Sequence, residues 1–491
     1  MPTKVTDSYD KLLAGQIVKI QFKYISEENL KDIYHLFVLL FHYYDQIFLT
    51  EVVFTIAKEI LMNAVKANAK RLFFGRMNLD INNPQDYKKG MESFSEEVTM
   101  KWTEQEKYLS DSEFYIHVNM QIKNGGFFFE VENNSPVLPQ EQERIRVRIE
   151  KAKQYTDLSD AFLDFSDTTE SAGLGIILTH ILLKNSGIGY ENFKMEFTPI
   201  VTKVNLFIPH NVVPQIIDSK FNAKILDEIE NLPSLPQSVT KLINLCNNPD
   251  SNIQTLSAEI EKDPGLSADL LKLSNSAFFV TRAKQNTVLG ALKIVGLKNL
   301  KNLLYVTGVN KVLGNRYKKA EEVWEHSNKV SFFARNIAVE SGKNKFADLA
   351  STAGLLHDIG KLILLSLGKE ITDKIQALKT REKNNSVIME EYSIGISHPE
   401  IAGLLLEKWS FPEELVSVCR FHHKPFLAPE EHKDIVEIIY LANMMADVLD
   451  FKASYATIYP PVLQLMKIES EDQFHRIIEN MNKAYLNGQK L

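Results

Sequence analysis

Between residues 15 and 210 the period of the apolar positions changes repeatedly. Ile17–Tyr24 alternates as a half-buried strand does, whereas Glu27–Tyr44 and Glu51–Phe73 repeat apolar residues every three or four positions and predict amphipathic helices. Ser112–Ile122 and Gly126–Glu132 predict two strands, and Lys123-Asn124-Gly125 between them carries the Asn-Gly pair of a tight hairpin. Helices over Gln140–Gln154 and Leu174–Lys184, with strands over Lys194–Thr198 and Lys203–Ile208, complete a block of antiparallel strands covered by helices. Residues 74–111 are a polar insertion without an assignable period. Beyond Pro209-His210-Asn211-Val212-Val213-Pro214 strand signals nearly vanish, and helical periods run to the end, punctuated by Leu232-Pro233-Ser234-Leu235-Pro236, Asp263-Pro264-Gly265 and Phe411-Pro412-Glu413-Glu414. The expectation is an α+β chain of two modules: an α/β sandwich over residues 1–210, then an all-α module over 211–491 that ends in a helical tail.

Composition narrows the function without naming it. A chain of 491 residues is too long for one core. A net charge of −7 argues against non-specific binding of nucleic acid, which needs a basic surface, but leaves room for a small anion in a local basic pocket. Cys246 and Cys419 have no CxxC partner, which excludes a disulfide framework and fits a reducing cytosol. The first residues lack an apolar signal core, and Ile33–Tyr44 is interrupted by His35 and His42 and falls short of the roughly 20 residues of a membrane span. A soluble cytoplasmic protein is expected.

Two sets of residues carry candidate chemistry. In the first, Glu59 and Asn63 lie four apart on a helical segment and so share a face, where a carboxylate can orient water and an amide oxygen can hold Mg²⁺ beside phosphates. Later, Glu170-Ser171-Ala172-Gly173-Leu174-Gly175 leads into an apolar helix, and glycines at a helix start let backbone N–H groups approach a phosphate. Together these segments resemble the histidine-kinase-like (GHKL) ATPase fold over about residues 15–208. Glu59 and Asn63 match its N-box, and Gly173-Leu174-Gly175 its second glycine box. The resemblance implies an adenine-reading aspartate in an Asp-x-Gly-x-Gly element. Here that position is Asn133, and Ser135 and Val137 stand where the glycines should be, which argues against ATP–Mg as a cofactor. A fold kept for partner binding, as in anti-sigma-type regulators, fits these departures as well as an ATPase does.

The second set is an ordered series of metal-ligand types. His357-Asp358 ends an apolar run, preceded by His326 and followed by His398, His422, His423 and Asp447; five of the 12 histidines fall in this series. Neutral imidazoles and carboxylates suit Fe, Mn or Zn. His326, His357, Asp358 and Asp447 would form one metal shell, and His398, His422 and His423 a second, with Asp358 bridging. Two such ions activate water and hold both oxygens of an in-line displacement. Lys361, a turn past Asp358, is placed to neutralise a phosphate oxygen, and His357 and Lys361 are i, i+4 neighbours if the helix continues.

This half resembles the HDOD family of the HD phosphohydrolase superfamily. The resemblance is carried by Leu232–Pro236, Ile260–Leu266, Leu273–Phe279, Ala291–Leu297, Trp324–Ser327 and the His357-Asp358 run, over about residues 214–425. It implies a bacterial signalling scaffold that works through protein partners without requiring turnover, with a nucleotide ligand as an option. The ligand series is fuller than a scaffold requires and approaches that of the HD-GYP cyclic-di-GMP phosphodiesterases. However, the chain after His423 reads Lys424-Pro425-Phe426, without Gly-Tyr-Pro. Two readings stand: a regulatory signalling protein, or a metal-dependent phosphohydrolase acting on a nucleotide or cyclic dinucleotide, with Asp358 and Lys361 at its centre.

Overall fold

The computed structural model describes residues 3–100, 102–155, 174–213, 220–275, 284–314, 316, 321–367, 387, 390–391 and 394–488. The chain divides into two compact units, Met1–Ser219 with Glu391–Gly395, and Lys220–Glu390 with Ile396–Leu491.

The first unit is an antiparallel five-stranded sheet in the order β1-β2-β3-β5-β4, built from Val18–Phe22, Ile116–Lys123, Gly126–Asn133, Phe193–Phe197 and Thr202–Pro209 in chain order. The β2–β3 hairpin closes at Lys123↔Gly126 across Asn124 and Gly125, both at positive φ (53° and 73°), as an Asn-Gly turn demands. Helices α1 (Thr3–Leu13), α2 (Glu27–Tyr43), α3 (Thr50–Arg76), α4 (Pro84–Met100), α5 (Trp102–Ser110), α6 (Pro139–Ala152) and α7 (Leu174–Asn185) accompany the sheet. Ser26 starts α2 with a reciprocal cap: its hydroxyl accepts from the Asn29 N–H at 3.2 Å while the Asn29 side chain accepts from the Ser26 N–H at 3.1 Å. On the covered face Phe37 of α2 meets Phe127 and Phe129 of β3 edge-on, with centroids 5.7 and 5.8 Å apart. The opposite face carries Phe128 and Phe207 beside polar side chains, with Asn119 donating to Glu130 (2.7 Å) and Lys203 paired with Glu132 (2.8 Å).

Residues 74–111 depart from their reading as a polar insertion. They form α4 and α5, and α4 lays the buried Tyr87 and Phe94 against Phe74 and Phe73. Two aromatics seven residues apart anchor an otherwise polar helix, too sparse a stripe to register as a period.

The second unit is helical throughout its described residues. Helices α8 (Lys220–Asn231), α9 (Gln237–Asn247), α10 (Ile253–Ile260), α11 (Pro264–Ser274) and α12 (Val288–Val309) come first; Val239, Leu242, Leu256, Ile260, Leu270 and Leu292 form a buried cluster among α9–α12. Asp263-Pro264-Gly265, a punctuation mark in the sequence, is the start of α11: the Asp263 carboxylate accepts from the Leu266 N–H and Pro264 takes a first-turn position that needs no donor. Then follow α13 (Glu321–Glu340), α14 (Ala347–Leu356), α15 (Ile359–Leu364), α16 (His398–Lys408), α17 (Glu413–Phe421), α18 (Lys433–Leu449) and α19 (Glu471–Gly488). Among the described residues, no helix is long and apolar enough to cross a membrane.

Candidate metal centre

The break between α14 and α15 builds the centre. His357 closes α14, and Asp358, at φ −101° and ψ 8°, stands outside either helix in the sparsely populated bridge region. The interruption falls at Asp358, so the expected i, i+4 pairing of His357 with Lys361 is replaced by an i, i+3 ion pair, Lys361 Nζ to Asp358 Oδ2 at 2.6 Å. At Gly360 α15 crosses the start of α16 at backbone distance, and a Cβ there would lie 2.0 Å from the His398 carbonyl oxygen.

Asp358 is 1% exposed and lies between two groups of imidazoles. Its Oδ1 is 3.2 Å from His398 Nε2 and 3.5 Å from His422 Nε2; its Oδ2 is 3.4 Å from His357 Nε2 and 3.7 Å from His326 Nε2. His423 packs beside them, its ring tilted at 4.3 Å from His422 and edge-on at 5.1 Å from His398. The ligand atoms of Asp358, His398, His422 and His423 lie within 4.8 Å of one another, as do those of His326, His357 and Asp358.

Each inner histidine is held from behind. His357 Nδ1 meets the Gly354 carbonyl at 2.8 Å, and His422 Nδ1 meets the Cys419 carbonyl at 2.8 Å. Since a carbonyl only accepts, both Nδ1 atoms carry the proton, and each Nε2 presents a lone pair to the centre. His398 Nδ1 donates to the buried Glu390 carboxylate at 2.6 Å, and the same oxygen accepts the His398 backbone N–H at 2.8 Å. Yet the Nε2 atoms of His357, His398, His422 and His423, the Nδ1 of His326 and the Oδ1 of Asp358 have no hydrogen-bond partner among the described residues. Buried polar atoms are normally satisfied, and leaving one unsatisfied costs about 1–3 kcal/mol. So many converging lone pairs fit a divalent cation.

Electrostatics agree with that fit. Burial pushes His357, His422 and His423 down, so they stay neutral and able to ligate. Burial opposes ionisation of Asp358, but the Lys361 ammonium beside it holds it well below the ordinary carboxylate range. Burial likewise opposes the Lys361 ammonium, yet Asp358 and Asp447 outweigh it and raise its pKa.

Asp447 sits at the rim rather than in the core: its side chain is 20% exposed, its Oδ1 is 3.9 Å from His326 Nδ1, and its Oδ2 accepts from Asn443 at 3.3 Å. Sequence reasoning missed Glu390 and Asn443. Glu390 follows the short apolar run Val387-Ile388-Met389 and has Glu391 beside it, so neither period nor residue type singles it out. Asn443, whose Oδ1 meets His326 Nε2 at 2.9 Å, lies four residues before Asp447 on the same face of α18, a spacing that marks it.

The first unit brings together only part of its own set. The half-buried Glu59 carboxylate lies against Gly175, where a Cβ would come 2.0 Å from Oε2, and Asn63 is exposed one turn further along α3. Gly173 lies outside the described residues. Asn133 is buried and committed: its amide donates to Asn68 Oδ1 (3.1 Å), which also accepts the Ser135 hydroxyl (2.7 Å), while Asn68 donates to the Tyr115 carbonyl (3.1 Å). Asn68 is nine positions past Glu59, about 13 Å along the helix axis.

Residues 232–425 match the HDOD domain family. The chain is an HDOD-domain protein. It is also 30% identical over 427 residues to an uncharacterized protein of Treponema pallidum (strain Nichols), covering 87% of this chain and 83% of that one, and it belongs to the same family. That likeness extends well outside the HDOD domain. Among solved structures, this HDOD protein is similar to one from Shewanella amazonensis SB2B proposed to be a phosphohydrolase (24% identity, 55% of this chain and 96% of that one, TM-score 0.42). It is also similar to an HDOD domain protein of unknown function from Geobacter sulfurreducens (21% identity, 55% and 95%, TM-score 0.44).

Proposed function

We propose that the helical module of this HDOD protein holds a divalent metal centre and acts as a metal-dependent phosphohydrolase on a phosphodiester-type ligand, a nucleotide or cyclic dinucleotide, within a bacterial cytoplasmic signalling protein. The observation that carries this reading is the convergence of unpartnered imidazole nitrogens on the buried Asp358. His398, His422 and His423 would hold an ion on the Oδ1 side, and His326, His357 and Asp447 on the Oδ2 side, with Asp358 common to both. A metal so held supplies Lewis acidity toward a phosphoryl oxygen and activates water. The chain's own part is to fix the imidazoles from behind through Gly354, Cys419 and Glu390, to exclude bulk water, and to offer Lys361 as counter-charge to a phosphate.

Elemental analysis of the purified full chain tests the reading, with Asp358→Asn as the paired variant. We expect about one to two equivalents of Fe, Mn or Zn and metal-dependent hydrolysis of a phosphodiester substrate, both lost in D358N. A wild-type chain that stays metal-free after reconstitution would sink it.

A second reading, a regulatory scaffold with partner-binding output, is favoured by the Lys361–Asp358 pair, which gives the carboxylate a counter-ion without any metal. The division into a GHKL-like module near residues 1–210 and an HDOD module from 211 belongs to the proposal. Because Asn133 is bound to Asn68, the first module is assigned to partner contacts rather than ATP turnover.

A further inference from the structure

We propose that Lys361 is an internal cation covering one half of the centre, so that a second metal ion enters only when an anionic phosphate draws the ammonium away. This rests on the metal reading above and adds an order of filling to it.

The two oxygens of Asp358 are not equivalent. Oδ1 faces His398 and His422 and has no hydrogen-bond partner among the described residues, so a cation there meets only lone pairs. Oδ2 faces His357 and His326 but already receives Lys361 Nζ at 2.6 Å. An ion on that side meets an ammonium of its own sign within a few ångströms, in an environment that screens poorly. The first ion therefore belongs with His398, His422 and His423, and the half formed by His326, His357 and Asp447 stays closed while the ion pair holds.

The parts also differ in freedom to move. His357, His398 and His422 are fully buried, with Nδ1 tied to Gly354, Glu390 and Cys419. The Lys361 side chain is 28% exposed, so its flexible stem reaches solvent and the ammonium can leave without unpacking the core. What it needs on leaving is another anion. A phosphoryl group supplies one and, by taking the ammonium, frees Oδ2 for the second ion. Phosphate and metal then bind with positive coupling, and linkage requires each to raise the affinity of the other by the same factor.

Titration of the full chain with Mn²⁺, by calorimetry and by counting free Mn²⁺, tests this, using wild type and Lys361→Met with and without sub-millimolar inorganic phosphate. We expect one tight equivalent in wild type, and a second whose affinity rises about tenfold or more either with phosphate or in K361M. Phosphate should add nothing further in K361M. Two equally tight ions in phosphate-free wild type would overturn the proposal, as would a single equivalent under every condition. Either result leaves the metal reading standing, whereas no bound Mn²⁺ in any sample removes both. The phosphate arm on wild type needs no variant, and Lys361→Gln substitutes if K361M does not fold.

Discussion

Glu390 is the residue at which orientation can be separated from ligation. It touches no inward-facing ligand atom, yet one of its oxygens takes both the backbone N–H and the Nδ1 proton of His398. Glu390→Gln keeps an acceptor of nearly the same shape while removing the charge that makes the imidazole a better donor to a cation. Partners of this kind usually contribute a factor of about 10–100 in metal affinity. We expect E390Q to weaken metal binding by about that factor with a near-native circular dichroism spectrum. Unchanged metal affinity in E390Q would reduce Glu390 to packing. Asn443 differs, since it meets His326 on one side and Asp447 on the other and joins two ligand types from neighbouring helices.

At the scale of elements, the centre depends on how closely two helices cross. Asp358 precedes α15 and His398 opens α16, so their 3.2 Å separation is set where these helices touch, at Gly360. A methyl group there would sit 2.0 Å from the His398 carbonyl oxygen and 3.0 Å from the Ala402 nitrogen, both backbone atoms. The helices must move apart to admit it. Overpacking of this kind costs about 1–3 kcal/mol. Gly360→Ala should lower the urea midpoint by a corresponding amount and also weaken metal binding, because the displacement carries His398 away from Asp358. A variant that loses stability but keeps full metal affinity would show that the crossing and the ligand geometry are independent. The far end of α16 is pinned as well: Lys408 Nζ donates to the carbonyls of Ile229, Glu230 and Leu232 at 2.8, 2.6 and 2.8 Å, capping the C-terminus of α8.

Over the whole molecule, the legible parts were those with a strong local signal. The Asn124-Gly125 hairpin, the alternating β5 and the long stripes of α2 and α3 follow from period and turn chemistry alone. The residues that converge on Asp358 stood out in the sequence because histidine is rare and the series ordered. The helix break at Asp358, the carboxylate behind His398 and the committed state of Asn133 did not, since each depends on a contact between segments distant in sequence. Two other buried histidines, both in the first unit, give the molecule a predictable acid limb. Burial, joined by Lys31, lowers the pKa of His35 on α2 from 6.5 to about 4, and burial also lowers that of His180 on α7. A histidine depressed in the fold leaves the unfolded chain holding more protons between the two values. Its contribution to stability is therefore complete above pH 6.5 and is lost as pH falls toward 4. For His35 the slope approaches about 1.4 kcal/mol per pH unit within that window. Hydrogen-exchange protection of the β2 and β3 amides, corrected for intrinsic exchange, should fall between pH 6.5 and 4.5. His35→Leu should flatten that fall by close to one proton's worth while leaving protection at pH 7.5 similar or higher. An unchanged acid slope in H35L would mean that His35 takes up its proton without opening the fold, and that its burial, 6% exposed with Nδ1 unpartnered among the described residues, is relieved by local motion instead.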